Sequence, residues 1–152
     1  MERQYINDNN FERERLTKLV NEITDNELKL VIYKEGWTIA VALGHLAFWD
    51  ERRMLLIQEW KKNSITPSGL NELDTRIIND TLLPVLLALP PRKAAELAEK
   101  AAEKVDREIA GLPDELVKKI EALGDLNALN RGRHRKMHLD EIEVLLGAKR
   151  GK

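Results

Sequence analysis

The sequence predicts an all-α protein that folds as a four-helix bundle, with one or two short extra helices in the connections. Apolar residues recur at helical spacing in four long stretches, and the middle of the chain shows no strand-like alternation of apolar and polar residues. Hydrophobic residues make up 43% of the 152 residues, with only 8 glycines and 5 prolines, which excludes disorder and low-complexity linkers. This length favours a single domain over residues 1–152 that can bury its own core.

The first long helix is predicted from about residue 11 to residue 32, because its leucine, isoleucine and valine residues share one stripe. Asn9, followed three residues later by Glu12, has the spacing of a pair that caps a helix N-terminus. Gly36 is expected to break the helical pattern at the end of this segment.

The second long helix is predicted over residues 39–62, with Thr38 as its N-cap. Its first half is apolar on much of its circumference, which is typical of a helix buried between neighbours. The following residues, 63–70, contain Pro67 and Gly69 and are predicted to form a loop.

The segment from residue 73 to residue 89 is too apolar for an exposed linker. It is predicted to be partly helical, with interruptions at Pro84 and at Pro90–Pro91. We expect it to pack over one end of the bundle or at a dimer interface, with Asn79 near a pocket.

A third long helix is predicted over residues 92–110, where alanines form a narrow stripe suited to close packing, either within the fold or across an interface. A short helix is expected over residues 114–123, and residues 124–132 carry no clear signal. The last helix is predicted over residues 133–146. The C-terminal tail, from about residue 148 to residue 152, is expected to fray.

Charge and cysteine content exclude several classes of function. Lysine and arginine number 25 against 26 acidic residues, so the chain lacks the net basic field of a nucleic-acid or anionic-membrane binder. With no cysteine, disulfides, cysteine-ligated metals and a cysteine nucleophile are excluded. The N-terminus lacks the apolar core of a signal peptide, and the longest uncharged stretch, residues 36–49, is too short to span a bilayer. We therefore expect a soluble, cytoplasmic protein with no membrane contact.

Three histidines are the candidate chemical groups: His45, His134 and His138. His134 and His138 are four residues apart and share one helix face, while His45 lies in the apolar half of the second helix. All three are predicted to point into the bundle. A buried imidazole costs free energy unless it has a partner. From the residues alone, three separately hydrogen-bonded core histidines and one shared metal ion are both open interpretations.

Two other groups of residues are interpreted as structural. Four basic residues cluster at the start of the last helix: Arg131, Arg133, Arg135 and Lys136. They are expected to fan over helix faces away from His134 and into solvent. The tryptophans are predicted to pack in the core and at helix ends rather than to form a ligand cage: Trp37, Trp49 and Trp60. The sequence contains no glycine-rich phosphate loop and no serine-nucleophile motif.

Two short motifs resemble those of the DinB/YfiT-like superfamily. Residues 36–38 read GWT and residues 42–53 read ALGHLAFWDERR, similar to the superfamily's second-helix signature. Residues 134–143 read HRKMHLDEIE, similar to its last helix, which supplies an H-x-x-x-H pair. Asn79 lies in a middle segment where these proteins often carry an asparagine. The similarity extends over nearly the whole chain, but these motifs are its specific part.

The resemblance implies an up-down-down-up four-helix bundle, often dimeric, in which His45, His134 and His138 bind one divalent metal ion, most commonly zinc or nickel. Three ligands leave coordination positions open, as in catalytic sites. Glu141 is the candidate catalytic residue. It could orient a ligand ring, act as a base or join the metal, and the alternative is a solvent-facing carboxylate paired with lysine or arginine.

Characterised relatives activate a low-molecular-weight thiol for transfer or isomerisation, or activate water for hydrolysis. The resemblance therefore implies a metal-dependent thiol S-transferase or hydrolase with a small-molecule substrate. Because the chain has no cysteine, any thiol would be a cosubstrate. The alternative is a non-enzymatic, stress-associated bundle that binds a metal or ligand without turnover. A purely structural helical dimer with a degenerate site is a third possibility, disfavoured by the intact histidines.

Overall fold

The computed structural model describes residues 3–66 and 70–151. Within these ranges the chain forms seven α-helices: α1 (Gln4–Glu22), α2 (Asp25–Leu28), α3 (Ile39–Lys62), α4 (Glu72–Ala88), α5 (Pro91–Ala110), α6 (Asp114–Glu121) and α7 (Gly132–Arg150). An antiparallel hairpin of β1 (Val31–Tyr33) and β2 (Trp37–Thr38) lies between α2 and α3. Pro67 and Gly69, on which the loop prediction rested, lie outside the described residues, as does Lys152.

The helices pack as a bundle, which confirms the all-α prediction apart from the short hairpin. Helix α3 makes its most extensive contact with α5, and α1 packs against both α5 and α7. The alanine stripe of α5 is buried within the fold: Ala94, Ala95, Ala98, Ala101 and Ala102. Small side chains allow helices to approach closely, so this stripe serves internal packing.

The interior consists of two apolar clusters separated by a polar layer. One cluster joins the ends of α1 and α7 nearest their C-termini to the first halves of α3 and α5. The other contains the ends of α3 and α5 together with α6. Between them lie buried polar and charged side chains of α1, α3, α5 and α7: Asn9, Asp50, Asp106 and Arg135.

The N-terminal third differs from the prediction. The first helix ends at Glu22 because Thr24 and Glu27 form a capping box that starts the separate helix α2. Beyond it, the β-branched residues of β1 favour extended backbone. Gly36 does break the pattern, within the left-handed hairpin turn, where its φ is 84°.

Asn9 is not a helix cap, because α1 already begins at Gln4. Its side chain is buried and contacts the residues at the start of α7. Its Nδ2 donates to the carbonyl of Leu129 at 2.9 Å, and its Oδ1 accepts from the backbone N–H of Gly132 at 2.8 Å. Asn9 therefore anchors the start of α7 against α1.

The apolar segment after the loop forms one continuous helix, α4, which runs through Pro84 rather than breaking there. It packs on α3 and β2 and buries Leu86. Four large apolar side chains on it remain exposed: Leu73, Ile77, Val85 and Leu87. Helix α4 thus packs on the bundle through one face, while its outer face is uncovered in the described chain.

The remaining helices match their predicted positions closely. Helix α3 covers residues 39–62, and the Thr38 hydroxyl accepts from the N–H of Val41 at 3.1 Å, as an N-cap does. Helix α7 continues past the predicted end to Arg150, whose guanidinium pairs with Glu27 at 2.6 Å.

In the ranges that the structure describes, we find no helix that is both long and apolar enough to cross a membrane.

Substitution Gly132→Ala is expected to lower the free energy of unfolding by about 1–3 kcal/mol. A Cβ at this position would lie 2.7 Å from the carbonyl oxygen of Asp8 and 2.9 Å from its carbonyl carbon. Both atoms belong to the backbone of α1, so α7 would have to move away from it. Thermal or urea unfolding of the variant measures the loss.

The matched control is Gly147→Ala, in the same helix. A Cβ there meets nothing within 4 Å, and alanine favours a helix over glycine by about 0.5–1 kcal/mol. The control should therefore gain stability. Equal stability of the two variants would show that the close approach of α1 to α7 at Gly132 is wrong.

Candidate metal centre

The three histidines lie side by side between α3 and α7. His134 and His138 lie one turn apart on α7, and His45 faces them from α3. The Nε2 atoms of His45 and His134 are 3.0 Å apart, and the three ring centroids are 4.9–5.0 Å from one another. One ring nitrogen of each histidine lies within 4.8 Å of those of the other two. The structure therefore brings the three sequence-predicted residues together.

The surroundings keep these imidazoles neutral. Burial, together with the neighbouring His138, lowers the pKa of His45 to about 3. Burial also lowers the pKa of His138 to about 4. For His134, burial and the two other histidines lower the pKa to about 2. Neutral imidazole is the form that binds a metal ion.

The geometry fits a divalent cation. Two imidazole nitrogens bound to one ion at about 2.1 Å lie roughly 3–3.5 Å apart, close to the separation of the His45 and His134 Nε2 atoms. Nε2 of His138 is buried and has no hydrogen-bond partner among the described residues. Such a nitrogen costs free energy unless something binds it. The donor set of three neutral nitrogens suits zinc-like ions.

The histidines line a pocket of about 760 Å³. The hairpin and α4 lie beside it, and α3 and α7 supply the histidines. The other lining side chains divide into an apolar or aromatic group, Tyr33, Trp37, Trp49 and Met137, and a polar or charged group, Thr75, Asn79, Asn127, Arg131, Arg133 and Glu141. The cluster thus faces a space that a small molecule can enter, rather than the centre of the bundle.

The sequence model of the DinB superfamily matches residues 10–144. The chain belongs to the DinB superfamily. No match was found among curated proteins or among solved structures. Membership in this superfamily and the three-histidine cluster are both compatible with a protein that binds a divalent metal ion.

In this DinB-superfamily protein, Glu141 lies exposed at the pocket and outside the three-histidine group. Its carboxylate is close enough to the Tyr33 hydroxyl to raise the pKa of that phenol. Its negative charge also opposes the lowering of the His138 pKa. Glu141 is therefore placed to influence the site, while its catalytic role stays a prediction.

Two of the three tryptophans line the pocket instead of packing in the core. Trp37, on β2, lies edge-on to His45 with ring centroids 5.2 Å apart, and Trp49 lies 6.4 Å from the same ring. Both are half-buried and line the pocket, because the hairpin folds back over α3. Trp60 is buried in an apolar cluster, as predicted.

The prediction of a solvated basic cluster is wrong for Arg131 and Arg135, which are both buried. Arg135 donates from Nη1 and Nη2 to the two carboxylate oxygens of Asp106, each at 2.8 Å, and from Nη2 to Asp50 at 3.2 Å. Arg131 Nε donates to the other Asp50 oxygen at 2.9 Å. These faces of α7 point at α1, α3 and α5 rather than at water. The other two members, Arg133 and Lys136, are exposed.

This ionic network ties together the helices that carry the histidines. Asp50 lies on α3, five residues after His45, and Arg135 follows His134 on α7. Asp106 adds α5 to the same network. The bonds that join these helices therefore help to set the distance from His45 on α3 to His134 and His138 on α7.

Two residues support the cluster from outside α3 and α7. Asn79, expected near a pocket, accepts a hydrogen bond from Trp49 Nε1 at 3.0 Å and lines the pocket, which confirms that expectation. Tyr33 was missed by sequence reasoning. Its hydroxyl lies 2.8 Å from Nδ1 of His138. The only available signal was its place just before the Gly36 turn, which does not reveal a partner about 100 residues away.

Proposed function

We propose that this protein is a metal-dependent enzyme in which His45, His134 and His138 hold one divalent ion, zinc or nickel. The observation that carries the proposal is the convergence of three neutral imidazoles on one pocket. A structural zinc site is closed by four protein ligands, whereas a catalytic site keeps a position open. Three histidines facing a pocket match the second pattern.

The proposed reaction is the activation of a low-molecular-weight thiol for transfer or isomerisation, or of water for hydrolysis. A divalent ion at this position supplies a Lewis acid that lowers the pKa of a thiol or of water. Glu141 is the candidate proton acceptor, because it is the acidic side chain among the described residues that line the pocket. Any thiol is a cosubstrate, since the chain has no cysteine.

The pocket supports a small-molecule substrate with an apolar part. Its volume of about 760 Å³ lies within the usual range for small-molecule sites, roughly 300–1,000 Å³. Trp37, Trp49 and Met137 provide apolar surface beside the histidines. These side chains exclude water from part of the pocket and hold an apolar group of the substrate next to the three histidines.

Two further features are proposed from the superfamily resemblance. The first is the up-down-down-up order of the four long helices, with α4 as an additional helix in a connection. The second is a homodimer, supported by the exposed apolar side chains of α4, a surface of the kind that a second copy covers. Sedimentation analysis of the purified protein tests the dimer.

We expect protein purified without a histidine tag to contain one divalent ion per chain, measured by elemental analysis. A ligand that binds only the folded state at a hundredfold excess over its Kd adds about 2.7 kcal/mol of stability. For a domain of this size, chelation should therefore lower Tm by about 5–10 °C. A chain that contains no metal and shows no chelator effect after loading with zinc or nickel would contradict the proposal.

Turnover separates an enzyme from a non-enzymatic metal-binding bundle. The metal-loaded protein is assayed with low-molecular-weight thiols and a panel of thiol acceptors, and in parallel with ester and amide substrates. Metal-dependent turnover of either panel supports the enzyme and selects the reaction. Stoichiometric metal without turnover across both panels favours the binding protein.

A further inference from the structure

The hydroxyl of Tyr33 occupies a position between a histidine of the cluster and a carboxylate. It lies 2.8 Å from Nδ1 of His138, and the Glu141 carboxylate is close enough to raise the pKa of the phenol. The two rings also meet edge-on, with centroids 5.7 Å apart. Tyr33 belongs to β1, so this contact comes from the hairpin and not from the helices that carry the histidines.

The chemistry of the three groups determines which way the protons point. An ionised carboxylate only accepts hydrogen bonds, and a phenol has a single proton to give. A phenol has an ordinary pKa of about 10, so the Tyr33 hydroxyl keeps that proton at neutral pH. With its proton directed toward the Glu141 carboxylate, the Tyr33 hydroxyl accepts from Nδ1–H of His138.

The proton on Nδ1 of His138 determines whether Nε2 of the same ring is protonated. A neutral imidazole carries one proton, so a proton on Nδ1 leaves Nε2 of His138 with a free lone pair. That Nε2 is the buried nitrogen without a hydrogen-bond partner among the described residues. Its ring is also about 5.0 Å, between centroids, from those of both His45 and His134.

We propose that Tyr33 is a positioning residue for His138: its hydroxyl holds the proton on Nδ1 and orients the ring, so that Nε2 is ready to bind a divalent ion. The inference rests on the proposed metal site. Hydrogen-bond partners of this kind, on the far nitrogen of a ligating histidine, typically change metal affinity by about 10–100-fold. The hairpin thus contributes to the metal site through Tyr33.

The experiment compares Tyr33→Phe with Tyr5→Phe, which removes a hydroxyl beside the other apolar cluster, away from the histidines. Zinc affinity is measured by competition with a chromophoric chelator. We expect Tyr33→Phe to bind zinc about 10–100-fold more weakly than the unmodified protein, and Tyr5→Phe to bind it equally well. Equal zinc affinity of Tyr33→Phe and the unmodified protein would overturn the inference.

A second readout needs no metal. Long-range ¹H–¹⁵N NMR spectra of the metal-free protein report which nitrogen of His138 carries the proton. We expect the Nδ1–H form in the unmodified protein and in Tyr5→Phe, and a mixture of both forms in Tyr33→Phe. An unchanged His138 spectrum in Tyr33→Phe contradicts the role of Tyr33, whereas failure of the unmodified protein to bind zinc contradicts the proposed function instead.

Discussion

Substitution His45→Ala is expected to abolish tight metal binding, with at least a hundredfold loss of affinity, and any activity with it. His134 and His138 come from one helix, and two imidazoles bind zinc-like ions weakly. The third nitrogen must come from α3, so a bound ion would link α3 to α7. The variant should lose the metal-dependent rise in Tm, as measured by thermal unfolding with and without chelator.

The metal-free variant should remain folded, because the lost ring borders a pocket and its removal leaves both apolar clusters intact. Met137→Ala is the matched control, since Met137 lines the same pocket without offering a nitrogen ligand. It should bind metal like the unmodified protein. If His45→Ala instead keeps stoichiometric metal at full affinity, the three histidines are separate core residues and the proposed centre is wrong.

Substitution Arg135→Met should lower the free energy of unfolding by about 3 kcal/mol, or Tm by about 6–12 °C. The Arg135 side chain is fully buried and pairs with both Asp106 and Asp50. Its loss leaves two buried carboxylates with fewer partners, although Arg13 and Arg131 still contact them. Urea unfolding monitored by circular dichroism measures the change.

The control is Arg107→Met, which removes an exposed arginine paired with Glu103 one turn earlier on α5. Exposed ion pairs contribute less than about 1 kcal/mol, so this variant should unfold close to the unmodified protein. Similar stability of the two variants would show that the buried network is not stabilising. Because the network joins the helices that carry the histidines, Arg135→Met should also weaken metal binding.

Helices with strong local signals were predictable from the sequence. Helix α3 has a threonine cap and a long apolar run, and α5 starts at a proline and ends before Gly111. Where local signals compete, the prediction was wrong. Pro84 does not break α4. The apolar stripe over residues 11–32 predicted one long helix, but the capping box at Thr24 starts a second helix within it.

The candidate site was predictable only in part. His134 and His138 share a helix face by spacing alone, and His45 was a candidate because it lies in the apolar half of the second helix. The resemblance added that the three bind one metal ion. The supporting contacts were not predictable, because they join residues far apart in the chain. Tyr33 meets His138 across 105 positions, and Asn9 meets Gly132 across 123.

The sequence by itself determined the all-α class, the positions of the best-capped helices and the three histidines as candidate ligands, because each depends on local spacing and composition. Only the tertiary structure decided that Arg131 and Arg135 are buried and that the hairpin places Tyr33 and Trp37 beside the histidines. The burial of a charge depends on partners from other helices, which here are Asp50 and Asp106. Helical periodicity shows which face of a helix a residue occupies, but it does not show what covers that face.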